Sequence, residues 1–183
     1  MQYAFYFDPS RCIECFAFEV ACQAENDLRP FAEEDPLASG PKFREVVEVI
    51  DEQSHHHPVQ YISMSCMHCG SPNCLTVCPT GAIYRDDERG LILVDQRKCI
   101  GCRYCSWACE FGAPQYDSKG LMFKCDMCVD RLDEGLEPAC VQHCCGGAIK
   151  AGPVDELESD VRKRISRRLV SASRPNVFFA TKE

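Results

Sequence analysis

Short apolar runs separated by polar turns recur along the chain, and few of them have the length of an ordinary helix. Three runs have the length and residue types of short strands: Tyr3–Asp8, Leu121–Lys124 and Ala148–Ala151. Within 82–95, two β-prone runs flank a polar turn that contains glycine, which predicts a β-hairpin. The pattern therefore favours an α+β protein of small elements.

Other segments predict an insertion and single helical turns. Residues 26–52 are rich in proline and acidic side chains before the apolar run Phe43–Ile50, so we interpret them as an insertion that ends in one strand. Glu19–Cys22, Leu75–Cys78 and Ser106–Cys109 each have the pattern of one helical turn that ends in a cysteine. These turns are expected to carry that cysteine away from its neighbours.

The C-terminal part of the chain predicts a longer helix over Val154–Val170. Its charge runs from acidic to basic, which suits the helix dipole. We expect this helix to pack against the body of the protein or against a partner. The apolar face is formed by Leu157, Val161, Ile165 and Leu169.

The composition indicates what holds such small elements together. Cysteine accounts for 16 of the 183 residues, which is typical of a covalent or metal-bound scaffold. The net charge of −8 argues against nucleic-acid binding. Without a long apolar run or a signal-peptide pattern, the sequence predicts a soluble cytoplasmic protein, although export together with a signal-bearing partner is compatible with it.

The cysteines fall into four tight groups, which favours metal binding over disulfides. In the third group the spacing C-x₂-C-x₂-C-x₃-C is that of bacterial ferredoxins, in which three thiolates bind one cluster and the fourth binds its neighbour. Such groups must therefore occur in pairs. The groups are Cys12, Cys15 and Cys22; Cys66, Cys69, Cys74 and Cys78; Cys99, Cys102, Cys105 and Cys109; and Cys125, Cys128, Cys140, Cys144 and Cys145.

Pairing the groups predicts two nested ferredoxin-like modules. Groups two and three form an inner module at 58–118. Groups one and four form an outer module, split between 1–57 and 119–153, around it. Residues 154–183 contribute the C-terminal helix and a tail. The predicted fold is thus α+β, with short strands and helical turns around [4Fe-4S] clusters.

Several of these segments together resemble the iron–sulfur electron-transfer subunits of dimethyl sulfoxide reductase-type molybdoenzymes and their relatives in formate hydrogenlyase and formate dehydrogenases. The resemblance covers nearly the whole chain. It implies [4Fe-4S] clusters in two ferredoxin modules, which pass electrons to or from a molybdenum- or tungsten-pterin catalytic subunit. The segments that carry it are Gln2–Cys12, Cys99–Cys105, Phe111–Tyr116, Lys124–Cys128 and Gly152–Leu157.

The resemblance implies three complete ligand sets and one incomplete set. The fourth set would use Cys12, Cys15, position 18 and Cys144, but position 18 is phenylalanine, which cannot ligate iron. The complete sets are Cys66, Cys69, Cys74 and Cys109; Cys99, Cys102, Cys105 and Cys78; and Cys125, Cys128, Cys140 and Cys22.

Three outcomes are open for the Phe18 site. The cluster is lost and Phe16 and Phe18 fill part of its volume; or Cys145, where the family usually has proline, completes a four-iron cluster; or Cys12, Cys15 and Cys144 hold a three-iron cluster. The leftover thiols are also suited to zinc.

The function expected from these residues is electron transfer, and the chain alone is not expected to catalyse a reaction. The resemblance leaves the partner open between a molybdoenzyme and a tungsten enzyme, including the benzoyl-coenzyme A reductases of the tungsten class. The alternatives are a zinc-stabilised structural or interaction module and a free-standing polyferredoxin.

The histidines, Tyr104 and Trp107 are not expected to bind iron. His55–His57 predict a solvated loop, whereas His68 and His143 are expected to shape the surroundings of the clusters. Tyr104 and Trp107 are expected to pack in the core around a cluster.

Overall fold

The computed structural model describes residues 1–28, 41–50, 59–157, 166–168 and 172–180. Besides a helical stretch at 154–157, the helices of these residues are α1 (Ala17–Glu25), α2 (Asn73–Thr76), α3 (Tyr104–Ala108), α4 (Val129–Asp133) and α5 (Ala139–Gln142). The strands are β1 (Tyr3–Phe7), β2 (Arg44–Ile50), β3 (Val59–Ser65), β4 (Ile83–Arg85), β5 (Ile92–Val94), β6 (Gln115–Tyr116), β7 (Met122–Phe123), β8 (Ile149–Pro153), β9 (Ser166–Arg168) and β10 (Val177–Ala180).

A four-stranded sheet joins the two ends of the chain, in the order β8-β1-β10-β9. Strand β1 runs antiparallel to β8, with Phe5 opposite Ala151, and parallel to β10. Phe5 and Phe7 are almost completely buried, since alternate side chains of a strand face the same side. Burial of these rings anchors the N-terminal strand to the segment that follows the fourth cysteine group.

Three two-stranded sheets complete the described structure. The hairpin of β4 and β5 confirms the prediction for 82–95. Strand β2 confirms the strand predicted at the end of the insertion, but its antiparallel partner β3 was not predicted. Strands β6 and β7 form the third pair. Residues 29–40 of the insertion and His55–His57 lie outside the described residues.

Two regions repeat the same arrangement of elements. In one, β4 pairs with β5 and α2 contacts α3; in the other, β8 pairs with β1 and α5 contacts α1. The main apolar core includes the buried Phe18 together with Cys66 and Cys125, which belong to different cysteine groups. The division into an inner module at 58–118 and an outer module around it remains a prediction.

The helix predicted over Val154–Val170 is wrong at its C-terminal end. Residues 154–157 are helical, and 158–165 and 169–171 lie outside the described residues. Ser166–Arg168, however, is strand β9, which pairs antiparallel with β10 through Arg168 opposite Phe178. Pairing with a sheet satisfies backbone groups and overrides the local helical pattern. Across the described residues, no helix combines the length and apolar character needed to cross a membrane.

Candidate metal centres

Cysteine groups one and three share one local backbone design. A short 3₁₀ turn precedes each group and is capped by an aspartate: Asp8 accepts the N–H of Ser10 at 3.0 Å, and Asp95 accepts the N–H of Arg97 at 3.1 Å. Each group then turns into its helix through a left-handed residue, Phe16 before α1 and Arg103 before α3. The two groups therefore share the geometry of the turn that leads into their helix.

Groups two and four also share a design. Each begins with C-x₂-C, and Pro72 and Pro138 then precede the short helices α2 and α5. Near the end of each group a cysteine sulfur meets backbone N–H groups. The N–H of Ala148 donates to Cys144 Sγ at 3.2 Å. Although burial opposes the change, hydrogen bonds from Ile83, Thr80 and Ala82 lower the pKa of the Cys78 thiol.

The structure brings the first predicted set, Cys66, Cys69, Cys74 and Cys109, together. Burial raises the pKa of the Cys74 thiol to about 12, and the thiolates of Cys66, Cys109 and Cys69 add to the rise. Burial likewise raises the pKa of Cys69 to about 11, with Cys66 and Cys109 contributing again. Electrostatic coupling of this kind requires short separations in a medium of low dielectric constant.

The second set lines a single cavity. Cys78, Cys99, Cys102 and Cys105 all face it. The N–H of Met122 donates to Cys99 Sγ at 3.4 Å, and the sulfur of Cys105 lies 3.3 Å from the Tyr116 hydroxyl. The four thiols come from groups two and three, which is the crossed pattern expected for a ferredoxin-like pair.

The third set combines group one with group four. Burial raises the pKa of Cys22 to about 12, and the thiolates of Cys140 and Cys128 add to this effect. Burial also raises the pKa of Cys125 well above its usual range, with contributions from Cys22, Cys66 and Cys140. Cys66, which is predicted for the first set, lies in the same apolar core as Cys125.

The fourth set contains three neighbouring thiols and a phenyl ring. Burial raises the pKa of the Cys12 thiol, and the thiolates of Cys144 and Cys15 contribute to the rise. Phe18 is only 2% exposed and belongs to the same apolar core, against which Cys12 and Cys144 pack. Cys145 is exposed, and its sulfur lies 3.8 Å from the carbonyl oxygen of His143. The thiol of Cys145 is therefore directed toward a neighbouring backbone carbonyl and not toward the other three thiols.

The chemistry of the thiols fits iron–sulfur clusters. All 16 cysteines are free thiols, and thiolates are the usual ligands of such clusters. Among the described residues, no three histidine, cysteine, aspartate or glutamate side chains converge closely enough to hold one metal ion. The zinc alternative thus has no observation in its favour in the described part of the chain.

A buried arginine, Arg44, provides an independent test of whether the third cysteine set suits an iron–sulfur cluster. Arg44 is 3% exposed, and in the described structure its Nε and Nη2 atoms have no hydrogen-bond partner. The thiolates of Cys140, Cys125 and Cys22 raise the pKa of this guanidinium, although burial opposes the rise. A buried cation with free donors requires a nearby anionic acceptor. A cluster bound by the third set would supply sulfur acceptors at that position.

The remaining sequence predictions have mixed outcomes. Trp107 is 92% exposed and Tyr104 is also exposed, so their predicted core packing is wrong. Helix α3 has only five residues and turns Cys105 inward, which leaves Trp107 and Tyr104 at the surface. His68 is buried, and its Nδ1 accepts the N–H of Ile92 at 3.1 Å. The sequence reasoning missed Arg44, although a lone arginine at the start of an apolar run is a usable signal.

Comparison with known proteins identifies the family. Residues 57–154 match the 4Fe-4S dicluster domain. The chain belongs to this family. One relative is a component of the anaerobic dimethyl sulfoxide reductase of Escherichia coli K12. It is 43% identical to this dicluster protein over 165 residues, which cover 85% of this chain and 76% of that protein.

Two further relatives of this dicluster protein come from other systems. A subunit of the sulfite dehydrogenase of Allochromatium vinosum is 34% identical over 185 residues, which cover 91% of this chain and 75% of that protein. The hydrogenase-2 operon protein HybA of Escherichia coli O157:H7 is 32% identical over 182 residues, which cover 87% of this chain and 54% of that protein. The predicted resemblance and the α+β, ferredoxin-like fold class are confirmed.

Proposed function

We propose that this chain is an electron-transfer subunit that conducts single electrons to or from a molybdenum- or tungsten-pterin catalytic subunit. The observation that carries the proposal is a single cavity lined by four thiols from two cysteine groups, Cys78, Cys99, Cys102 and Cys105. The neighbouring thiols around Cys22 and around Cys74 support it. Under this proposal each set binds one [4Fe-4S] cluster, within an inner module at 58–118 and an outer module around it. A predicted cytoplasmic location is part of the proposal, and cell fractionation tests it.

Such a cluster supplies one-electron chemistry at a potential set by its charge, its hydrogen bonds and its exposure. The residues of this chain provide the route. Cys66 and Cys125 lie in the same apolar core, which supports a route between the first and third sets. Cys102 of the second set is exposed, and Ile100 and Trp107 beside it in sequence are exposed as well. The second set is therefore the end of the route that a redox partner can approach.

The names of the relatives support a large catalytic partner. Two of them are components of a reductase and of a dehydrogenase. The choice between molybdenum and tungsten, including a tungsten-class benzoyl-coenzyme A reductase, depends on the partner. A free-standing polyferredoxin is the second candidate, and stable co-purification with a pterin-containing subunit would exclude it.

We further propose that the Phe18 site does not hold a four-iron cluster. Cys12, Cys15 and Cys144 lie together, but Phe18 occupies the third ligand position, and the Cys145 sulfur is directed toward the His143 carbonyl. The three thiols suffice for a three-iron cluster or remain metal-free.

The test is an iron and acid-labile sulfide count on the chain purified without oxygen, with the metal of any partner subtracted. We expect about 12 irons if the Phe18 site is empty and about 15 if it holds three. Electron paramagnetic resonance separates these outcomes, because an oxidised three-iron cluster gives a signal and an oxidised [4Fe-4S]²⁺ cluster does not. About 16 irons would overturn the proposal for the Phe18 site, and a colourless zinc protein would overturn the electron-transfer function.

A further inference from the structure

Arg44 occupies an unusual position for a cationic side chain. It begins strand β2 and is 3% exposed. Its guanidinium carbon lies 4.3 Å from the centroid of the Phe5 ring, and its Nη1 donates to the Ser63 hydroxyl at 2.7 Å. The ring and the hydroxyl hold the guanidinium in one orientation, because a planar cation stacks on an aromatic face and directs its donors within one plane.

Arg44 has no carboxylate to balance its charge in the described part of the chain. The ion pairs of the described residues involve Glu19, Asp95 and other partners, but none includes Arg44. Two of its nitrogen atoms, Nε and Nη2, are buried without a hydrogen-bond partner among these residues. Leaving a buried charge and two buried donors unsatisfied is costly, so the arrangement requires an anionic group nearby.

Cysteine side chains of one predicted ligand set lie near Arg44. Phe5, on which the guanidinium stacks, belongs to the same apolar core as Cys22, Cys125 and Cys140. Cys140, Cys125 and Cys22 all interact with it, and all three belong to the same predicted ligand set. They come from both halves of the outer region, so Arg44 lies where the first and fourth cysteine groups meet. The predicted set therefore lies beside the guanidinium.

Lys124 provides a contrast at the adjoining site. It is also buried, and it acts on Cys74 of the first set. Its Nζ, however, donates to the backbone carbonyls of Ile92 and Cys125. Backbone acceptors thus satisfy Lys124. Nε and Nη2 of Arg44 have no well-formed hydrogen bond among the described residues, and the acceptor that acts on the guanidinium there is the Cys140 sulfur.

We propose that Arg44 is a positioning residue for the site of Cys22, Cys125, Cys128 and Cys140, where it donates to cluster sulfur and raises the reduction potential of this site. The inference rests on the proposed iron–sulfur occupancy. Reduction adds one electron and one negative charge, with no proton transferred. A fixed positive charge in a medium of low dielectric constant favours that change.

The test is a potentiometric titration of the purified holoprotein, followed by electron paramagnetic resonance of each reduced cluster. In Arg44→Met the charge and the donors are lost with little change in volume. We expect one midpoint potential to fall while the others stay. Arg44→Lys keeps the charge but loses the planar fork, so its shift should have the same direction and a smaller size. Ser63→Ala, which loosens the guanidinium, should give the smallest shift.

Lys119→Met is the matched control. Lys119 lies in the turn between β6 and β7, and its side chain is exposed. It should leave every potential unchanged, since exposed charges are screened by water and salt. A wild-type protein without clusters would overturn the proposed function itself rather than the role of Arg44.

Unchanged potentials in a fully loaded Arg44→Met protein would overturn the inference. If Arg44→Met fails to assemble this cluster, the potential of the Arg44→Lys protein serves as the test instead. A wild-type potential in a fully loaded Arg44→Lys protein would contradict a role for the oriented donors. Equal shifts at all clusters would also contradict the proposal, because they would indicate a general structural change.

Discussion

Two stretches of the chain, Asp8–Cys22 and Asp95–Cys109, share the same order of turn, left-handed residue and helix, but they differ at one ligand position. Both start with an aspartate-capped 3₁₀ turn, and both enter their helix through a left-handed residue with φ of 55° at Phe16 and 65° at Arg103. The third ligand position of the ferredoxin spacing is Cys105 in one stretch and Phe18 in the other.

The comparison shows that the ligand turn does not depend on its third cysteine. Phe18 is buried where a cluster ligand is expected, yet Cys12, Cys15 and Cys144 still lie close together. The aspartate caps are the same in both stretches, and these contacts stabilise the turn. The side chain at the third position therefore decides what the turn binds, while its neighbours decide its shape.

The largest effect on iron content and stability is expected when Cys105 is replaced by phenylalanine, the residue at the corresponding position 18. Cys105→Phe removes a ligand of the second set and places a ring in its cavity, so we expect loss of about one to four irons per chain. Overpacking adds about 1–3 kcal/mol of destabilisation, and the lost cluster adds more because metal binding contributes to folding. Iron analysis and thermal unfolding measure both effects.

Tyr116→Phe is the control for Cys105→Phe. It removes only the hydroxyl, which lies 3.3 Å from the Cys105 sulfur. This variant should keep its full iron content. A Cys105→Phe protein with wild-type iron would mean that Cys105 is not a ligand.

The reverse exchange restores the ferredoxin spacing. We expect Phe18→Cys to raise the iron content to about 16 per chain, because Cys12, Cys15 and Cys144 already lie together. Phe18→Ala creates a similar cavity without a thiol, so it should lose about 3–5 kcal/mol of stability and gain no iron. The difference in iron between the two variants isolates the new thiolate. Equal iron contents would show that the three thiols are not arranged for a cluster.

Part of the fold and of the candidate site could be predicted from the sequence. The short apolar runs were enough for the hairpin at 82–95 and the strand Tyr3–Phe7, because these depend on local pattern. The pairing of the cysteine groups stays a prediction. The strand at Ser166–Arg168 could not be predicted from periodicity, since its conformation depends on a distant partner, β10. The burial of Arg44 likewise depends on residues far along the chain.

A smaller effect on stability is expected at Gly101 and Glu14. Each of them lies two residues before the left-handed residue that leads into the helix of its stretch. Both have positive φ, but a Cβ on Gly101 would lie 2.7 Å from the Gly120 carbonyl oxygen. We therefore expect Gly101→Ala to lower stability by roughly 1–3 kcal/mol. Glu14→Gly should change stability by less than about 1 kcal/mol. Glycine removes the strain of the positive φ, but it also raises the conformational entropy of the unfolded chain, and the two effects oppose each other. Chemical denaturation of the holoprotein compares them.

The smallest effect is expected at Cys145, which follows Cys144 as Pro79 follows Cys78. Its thiol is exposed and lies 3.8 Å from the His143 carbonyl oxygen, so Cys145→Ser should leave both the iron content and the spectra of the clusters unchanged. Cys144→Ser is the matched comparison, since the Cys144 sulfur accepts the N–H of Ala148 as an ordered member of the three-thiol set. If the Phe18 site holds a three-iron cluster, only Cys144→Ser should lose it. Loss of iron from Cys145→Ser instead would make Cys145 the fourth ligand and restore a four-iron site beside Phe18.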